Sequence, residues 1–372
     1  MVSNTYMDGF IPAGADQNEC IKCGTCLQNC PVMKMELEES RAEIVRLIEG
    51  EETERVLKEC TFCFTCNHYC PNGLKPYHLI MERMAEHNRK NSAELPFWVK
   101  DMIDGRNKPG FFNEQYEASP DDHKTILKRW SEFSARAKDI LFIGCSGRIA
   151  PLDIEHSKAL EVLPKFGPRD ICCGDIPYRF GDYQAFGEIA EKAFNRLSLL
   201  KTERLVCYCA SCANYFGSIW PNCHGLRLPF EIMSLHEWLW EQYQAGSLQI
   251  QRKVKQDIVV SDSCHAGELG DRFMSSVRGL YEAAGMNVVE LKNNRYDSLC
   301  CGVGSLLRCS QNQSGINEDI QKKMNQILET GIDNVGFDCH GCVANLGRAF
   351  EGTNIKLHHA MDIILEAFEG IA

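Results

Sequence analysis

Apolar residues in this chain gather in two kinds of pattern. Short continuous runs, Ile140-Leu141-Phe142-Ile143 and Ile258-Val259-Val260, read as strands buried on both faces. Longer stretches with apolar residues three and four apart, Ala185–Leu200, Arg272–Ala284 and Ile316–Thr330, read as amphipathic helices. Runs alternating with helices predict parallel α/β units. Earlier in the chain the picture changes. Met33 to Leu57 is rich in Glu, Leu and Arg and predicts helix, as does Tyr77 to Arg89. Between these regions, residues 91–137 are polar and turn-rich (Asp104-Gly105, Lys108-Pro109-Gly110, Ser119-Pro120), with a helix expected from Asp122 to Ala137. The expected fold class is therefore α/β: a mostly helical N-terminal module, then two repeated parallel α/β domains. The divisions are 1–90, a connector at 91–137, and repeats at 138–250 and 251–372.

Composition changes this picture in one respect. With 44% hydrophobic and 24% charged residues the chain is an ordinary globular protein. A net charge of −11 disfavours nucleic acid as a partner, which demands clustered Lys and Arg. No apolar run is long enough to span a membrane and no signal peptide is evident, so a cytoplasmic location is expected, with membrane association only through a partner. The outlier is cysteine, at 21 residues. Bunched cysteines in a long chain without a secretion signal are metal ligands rather than a disulfide framework.

Eight of them form two copies of one motif, Cys20-x-x-Cys23-x-x-Cys26-x-x-x-Cys30-Pro31 and Cys60-x-x-Cys63-x-x-Cys66-x-x-x-Cys70-Pro71. Thiolates suit iron–sulfur clusters, and three cysteines at this spacing can wrap one [4Fe–4S] cubane. The fourth, before proline, lies too far along the chain and serves the other cluster. The expected sets are Cys20, Cys23, Cys26 and Cys70 for one cubane, and Cys60, Cys63, Cys66 and Cys30 for the second. Zinc fits this spacing poorly. A purely structural zinc scaffold is the third functional reading, and zinc without acid-labile sulfide would favour it.

Each repeat adds five cysteines in matching order: Cys145, Cys172, Cys173, Cys209 and Cys212, then Cys264, Cys300, Cys301, Cys339 and Cys342. The adjacent pairs precede Gly174 and Gly302, which ease the tight turn they need. Each group is expected just beyond the carboxyl ends of parallel strands. Five thiols exceed what one zinc or one cubane needs, which implies a larger or unusual cluster.

The doubled pattern Cys…Cys-Cys-Gly…Cys-x-x-Cys resembles the catalytic B subunit of heterodisulfide reductase. The module before it resembles the C subunit, and the whole chain resembles the fused form, the D subunit. That resemblance implies a non-cubane [4Fe–4S] cluster in each five-cysteine set, with a disulfide cleaved between the two. Two departures stand out. The gap from Cys145 to Cys172 holds 26 residues against 35 from Cys264 to Cys300, and neither first cysteine follows proline.

The resemblance implies an oxidoreductase that takes electrons through two cubanes to reduce a disulfide, coenzyme M–coenzyme B or another, to two thiols. The competing reading is a non-catalytic iron–sulfur subunit of a flavoprotein dehydrogenase (lactate, glycolate or glycerol-3-phosphate type) or of an electron-bifurcating complex. With no strand-borne Gly-x-Gly-x-x-Gly, both readings need a redox partner protein: a flavoprotein, a ferredoxin or a membrane cytochrome. The substrate is a small disulfide or a protein disulfide.

Other residues take blander expectations. Cys207, Cys223 and Cys309 are structural. His265 and His340 orient neighbouring thiolates, with proton donation the sharper alternative. His236 and His358 mark one recurring point of the repeat, and Arg148 and Arg308 are surface charges. A helix Glu231–Tyr243 carrying Trp238 and Trp240 packs between domains.

Overall fold

The computed structural model describes residues 7–10, 20–91, 111–132, 136–308 and 313–369. Two four-stranded, all-parallel sheets follow the helical module. The first has strands β1 (Asp139–Phe142), β2 (Lys165–Phe166), β3 (Arg204–Cys207) and β4 (Glu231–Ser234), in the order β2-β1-β3-β4. The second repeats it with β5 (Asp257–Ser261), β6 (Asn287–Glu290), β7 (Asn334–Phe337) and β8 (Lys356–His359), in the order β6-β5-β7-β8. The predicted runs are the central strands β1 and β5. Ile140 to Ile143 and Ile258 to Val260 are buried because helices cover both faces. Ile140 lies opposite Leu205, and Val259 opposite Val335.

Predicted helices appear at Tyr183–Leu197, Asp271–Ala283 and Gln313–Glu329. In the module, Leu37–Glu49 and Pro76–Lys90 are the long helices. The connector is more structured than its turn-rich sequence predicts, with helices at Phe111–Ala118 and Asp121–Ser131. Trp130 of the second helix is buried, donates to Glu155 at 2.7 Å, and its carbonyl accepts from Gly167 N beside β2. Cys309 lies outside the described residues.

Three expectations change. Strands β2, β4, β6 and β8 were not foreseen; β2 is two residues long and β6 half-exposed, so neither leaves a strong apolar signal. The expected helix from Glu231 begins as strand β4. The helix proper, Leu235–Gln244, starts where Ser234 and Glu237 form a capping box: Glu237 N donates to Ser234 Oγ at 3.2 Å and Ser234 N to Glu237 Oε2 at 3.0 Å. His236 and His358 also do not share a point of the repeat. Cys207 lies beside Ser234 in register, and Phe337 beside His359, so His359 matches Ser234 and His236 lies two residues beyond that point.

The short gap from Cys145 to Cys172 now has an explanation. The crossover from β5 to β6 carries the full helix Asp271–Ala283, whereas that from β1 to β2 carries only Pro151–His156. Part of the difference lies at the strand end itself, where five residues separate β2 from Cys172 and nine separate β6 from Cys300.

The helical module packs on both sheet domains. One apolar core runs from Leu27, Leu47 and Met81 of the module to Phe142, Tyr178 and Trp220 of the first domain. Polar contacts tie the module to the second: Tyr69 donates to Asp297 at 2.5 Å, Asn67 to Glu268 at 3.0 Å and Thr65 Oγ1 to the Tyr296 carbonyl at 2.9 Å. His78 is buried where module and first domain meet, 2.6 Å from the Tyr178 hydroxyl and 3.4 Å from Cys223 Sγ. Burial pushes its pKa down to about 3. The folded value lies below the unfolded one, so this contribution is complete above about pH 6.5 and is lost as pH falls towards 3. We expect His78→Gln, which cannot titrate there, to flatten the acid limb of a stability-versus-pH curve by up to about 1.4 kcal/mol per pH unit.

Candidate iron–sulfur centres

The two motif loops of the module turn alike. Lys22 and Phe62, each just before the second cysteine, have φ of 55° and 54°; Gly24 and Phe64, just after it, have 77° and 66°. Left-handed backbone at Phe62 and Phe64 costs about 1–3 kcal/mol each. It persists because both rings are buried, Phe64 stacked on Tyr77 at 3.9 Å. These turns draw the thiols inward, and the groups that form cross between the motifs. Burial, and then the thiols of Cys70, Cys20 and Cys23, pushes Cys26 up to about 12. Burial and then Cys63 does the same for Cys30. Cys66, pushed up by burial, has Cys60, Cys26, Cys63 and Cys30 around it, so the two groups adjoin.

In the first sheet domain, Cys145 follows β1, Cys172 and Cys173 follow β2, and Cys209 and Cys212 follow β3. All lie at the carboxyl ends of three adjacent strands, as expected of such sheets. The five form one group: Cys145 Sγ lies 3.7 Å from Cys172 Sγ, Cys173 bonds to Cys172 and Cys212, and Cys212 to Cys209. The second domain repeats this. Cys301 bonds to Cys300 and Cys342, Cys342 also bonds to Cys339, and Cys264 faces Cys339 and Cys301. Each adjacent pair is turned by its glycine. Gly174 (φ 87°) and Gly302 (φ 95°) donate to Cys172 Sγ at 3.4 Å and Cys300 Sγ at 3.3 Å. A Cβ at these positions would lie 2.5 Å from Phe186 and 2.4 Å from Ile320, so glycine is required twice over.

All twenty described cysteines are free thiols. Among the described residues, no three Cys, His, Asp or Glu side chains converge on one point suited to a single metal ion. The donor set, soft thiols in two groups of four and two groups of five on preset turns, fits iron–sulfur clusters. Cys20, Cys26, Cys30, Cys60, Cys66 and Cys264 are pushed up chiefly by burial, so loading a cluster on them displaces protons. The groups run in an order the chain does not follow. Cys300 has Cys63 as a neighbour, so the Cys60 group adjoins the second five-cysteine set, not the first.

The surroundings of the two sets cross over. His265, next to Cys264, lies 2.9 Å from Ser211 Oγ between Cys209 and Cys212, and 3.2 Å from Asn214 Nδ2. His340, next to Cys339, bonds to Cys209; with Cys212 it outweighs burial and holds that thiol well below its usual range. Both histidines thus follow second-set cysteines and serve first-set ones. Engaged on every side, His265 is placed to orient its neighbours.

Several residues were missed or misjudged from sequence. Asp175 and Arg179 lie one helical turn apart immediately after Cys172-Cys173-Gly174, a spacing that was available to signal a built pair. Lys323 is buried and donates to Ser298 Oγ at 3.0 Å, two residues before Cys300. Arg308 is not a surface charge: it is 2% exposed, paired with Asp319, and donates to the Lys58 carbonyl. Arg148 clamps the loop before Cys172 by donating to the Arg169 and Ile171 carbonyls. Cys207 and Cys223 are core residues, and Trp238 and Trp240 pack as expected, Trp240 against Gly279 of the second domain.

The module and strand-end cysteines define an iron–sulfur protein. Residues 16–74 match the 4Fe-4S dicluster domain, and residues 151–217 and 258–347 match the Cysteine-rich domain. Beyond that class, the chain is homologous, at low identity over nearly its whole length, to the D subunit of heterodisulfide reductase. In Methanosarcina barkeri, the D subunit of dihydromethanophenazine:CoB--CoM heterodisulfide reductase is 21% identical over 394 residues, spanning 94% of this chain and 93% of that one. The probable iron-sulfur-binding oxidoreductase FadF of Bacillus subtilis is 22% identical over 83% of this chain and 45% of its own. The EtfAB:quinone oxidoreductase of Syntrophomonas wolfei is 20% identical over 95% of this chain and 58% of its own. The role these findings support is iron–sulfur electron transfer of the oxidoreductase type. No helix among the described residues is long and apolar enough to cross a membrane.

Proposed function

We propose that this chain reduces a disulfide to two thiols, with electrons passing from a partner protein through two cubanes to two non-cubane clusters. The observation that carries the reading is that both five-cysteine sets are complete and are linked through Asp175, Arg179, His265 and His340. Residues 1–90 are the relay, with Cys20, Cys23, Cys26 and Cys70 holding one cubane and Cys60, Cys63, Cys66 and Cys30 the other. Residues 138–250 and 251–372, joined to the relay by 91–137, bring the two five-cysteine sets. When bound, the clusters supply one-electron steps and iron that holds thiolate products. The chain's own part is to orient the thiols through Gly174, Gly302 and His265 and to exclude water around them.

One disulfide takes up two electrons and two protons and leaves as two thiols. The electrons come from the redox partner, a flavoprotein, ferredoxin or cytochrome, and membrane association, if it occurs, comes through that partner. We expect anaerobically reconstituted chain to hold about sixteen irons with matching sulfide, and to turn over a small disulfide with a chemical reductant. The names of the FadF and EtfAB:quinone oxidoreductase relatives favour a second reading, an electron-transfer protein without its own disulfide chemistry. A fully loaded chain that reduces a quinone-like acceptor but no disulfide decides for that reading.

A further inference from the structure

The two five-cysteine sets match in ligands but not in charge. Arg179 is 3% exposed and begins in sequence beside the first set, five residues after Gly174. Its guanidinium reaches from that set to the second domain and the module. It donates from Nε to Asp175 Oδ1 at 3.2 Å and from Nη1 to the Phe62 carbonyl at 3.3 Å, and Nη2 lies 3.1 Å from His265 Nε2. One cation therefore ties together the loop after Cys173, the loop before Cys63 and the residue after Cys264. It also lies 5.4 Å from the Phe64 ring.

The pair has a direction. Asp175 Oδ1 accepts from Arg179 Nε at 3.2 Å and its Oδ2 lies 3.7 Å from His265 Nε2, so its carboxylate is paired with the guanidinium. That anion acts on Cys173 of the first set. Arg179 Nη2 lies against His265, the residue after Cys264, and Nη1 against the carbonyl of Phe62, the residue before Cys63, so the guanidinium is placed at the second set and the Cys60 group. A second buried basic side chain, Lys323, donates to Ser298 Oγ at 3.0 Å two residues before Cys300, with burial pushing its pKa down. The first set receives two imidazoles, His265 at Ser211 and His340 at Cys209, and beside it Arg148 donates to the Arg169 and Ile171 carbonyls before Cys172. Aligning Gly174 with Gly302 puts Leu307 where the first repeat has Arg179, so that position of the second domain carries no cation.

We infer that Arg179, aimed across the domain boundary by Asp175, raises the reduction potential of the centre in the second five-cysteine set above that of the first, making the two sites unequal partners. A buried positive charge stabilises the added electron, and local charge is a main determinant of cluster potential. The second set also adjoins the Cys60 group, so the charge sits where electrons leave the module. Arg179 is a positioning residue here, and the inference rests on the reading that both sets hold clusters.

The test is a redox titration of the reconstituted full chain followed by electron paramagnetic resonance, with each centre assigned by a cysteine variant of its own set. Arg179→Met is expected to lower the second-set midpoint, cutting its reduced-to-oxidised ratio at fixed potential by about tenfold. The first-set centre should hardly move, and Arg179→Lys should restore most of the loss. Asp175→Asn, which frees the guanidinium from its anchor and removes the anion beside Cys173, should narrow the gap between the two midpoints. If Arg179→Met fails to load, the Asp175→Asn and Arg179→Lys proteins decide. An unmoved second-set midpoint in loaded Arg179→Met, equal shifts at both sets, or, where Arg179→Met does not load, an unchanged gap between the midpoints in Asp175→Asn overturns the inference. Wild-type protein with iron only in its first ninety residues sinks the functional reading instead.

Discussion

The Cys30→Ala protein is expected to lose the centre built around Cys60, Cys63 and Cys66 while keeping the one built around Cys20, Cys23 and Cys26. Cys70→Ala should do the reverse. Each loses about four irons, so iron counting alone cannot separate them; the electron paramagnetic resonance signals must, with Cys23→Ala and Cys63→Ala as references. The expectation follows from which thiols lie together. Among neighbouring thiols, Cys63 acts most strongly on Cys30, at the end of the first motif, and Cys70 on Cys26. The backbone holds Cys30 there: Met33 N donates to its sulfur at 3.5 Å, and Arg55, just before the second motif, donates to the Met33 carbonyl at 2.7 Å. Loss of both centres from either variant would mean that the module loads as one cooperative unit. Loss of the variant's own motif centre would overturn the crossed assignment.

That crossing was legible because the motif itself states it: three cysteines fit one loop and the fourth does not. The strand-end placement of the ten later cysteines was legible too, since β1, β3, β5 and β7 are buried on both faces and announce themselves as apolar runs. Strands β2 and β6 did not, being short or half-exposed, and this hid the four-stranded sheets. What no spacing reveals is which side chain crosses between repeats. His265 and His340 read as neighbours of Cys264 and Cys339, yet they act on Ser211 and Cys209, because the domains face each other through their strand ends. Arg308 misled for a related reason. An arginine near a loop is solvated by default, but its partner Asp319 lies in the next helix and the Lys58 carbonyl in another part of the chain. Such long-range pairings leave no local pattern.

The largest single loss of stability is expected at Arg278. Its guanidinium grips Asp262 with two bonds of 2.8 Å and reaches Glu290 at 2.6 and 2.7 Å. Asp262 is buried, and it also accepts from Arg295 N at 2.7 Å, while its carbonyl accepts from Ser298 Oγ at 2.7 Å. Ser298 stands two residues before Cys300, and Asp262 two before Cys264, so one ion pair supports both loops of the second set. Arg278→Met should cost about 3–5 kcal/mol, because it strands a buried carboxylate, and should drain iron from the second set before the others. The Glu290 arm adds little, that side chain being half-exposed.

The pH dependence gives the same prediction a second reading. Burial pushes Asp262 up, but Arg278 outweighs it and holds the carboxyl below its ordinary value. The contribution of the pair is thus present above the unfolded value near 4 and is lost as pH falls through the folded one. In Arg278→Met the sign should invert, with stability rising as acid neutralises Asp262. Asp262→Asn combined with Arg278→Met removes both charges and should recover part of the loss at neutral pH. Unfolding of metal-free protein at pH 7 and pH 5, with iron counted separately after reconstitution, reads both effects. A double variant no more stable than Arg278→Met would locate the cost in lost packing of the arginine stem rather than in the stranded charge.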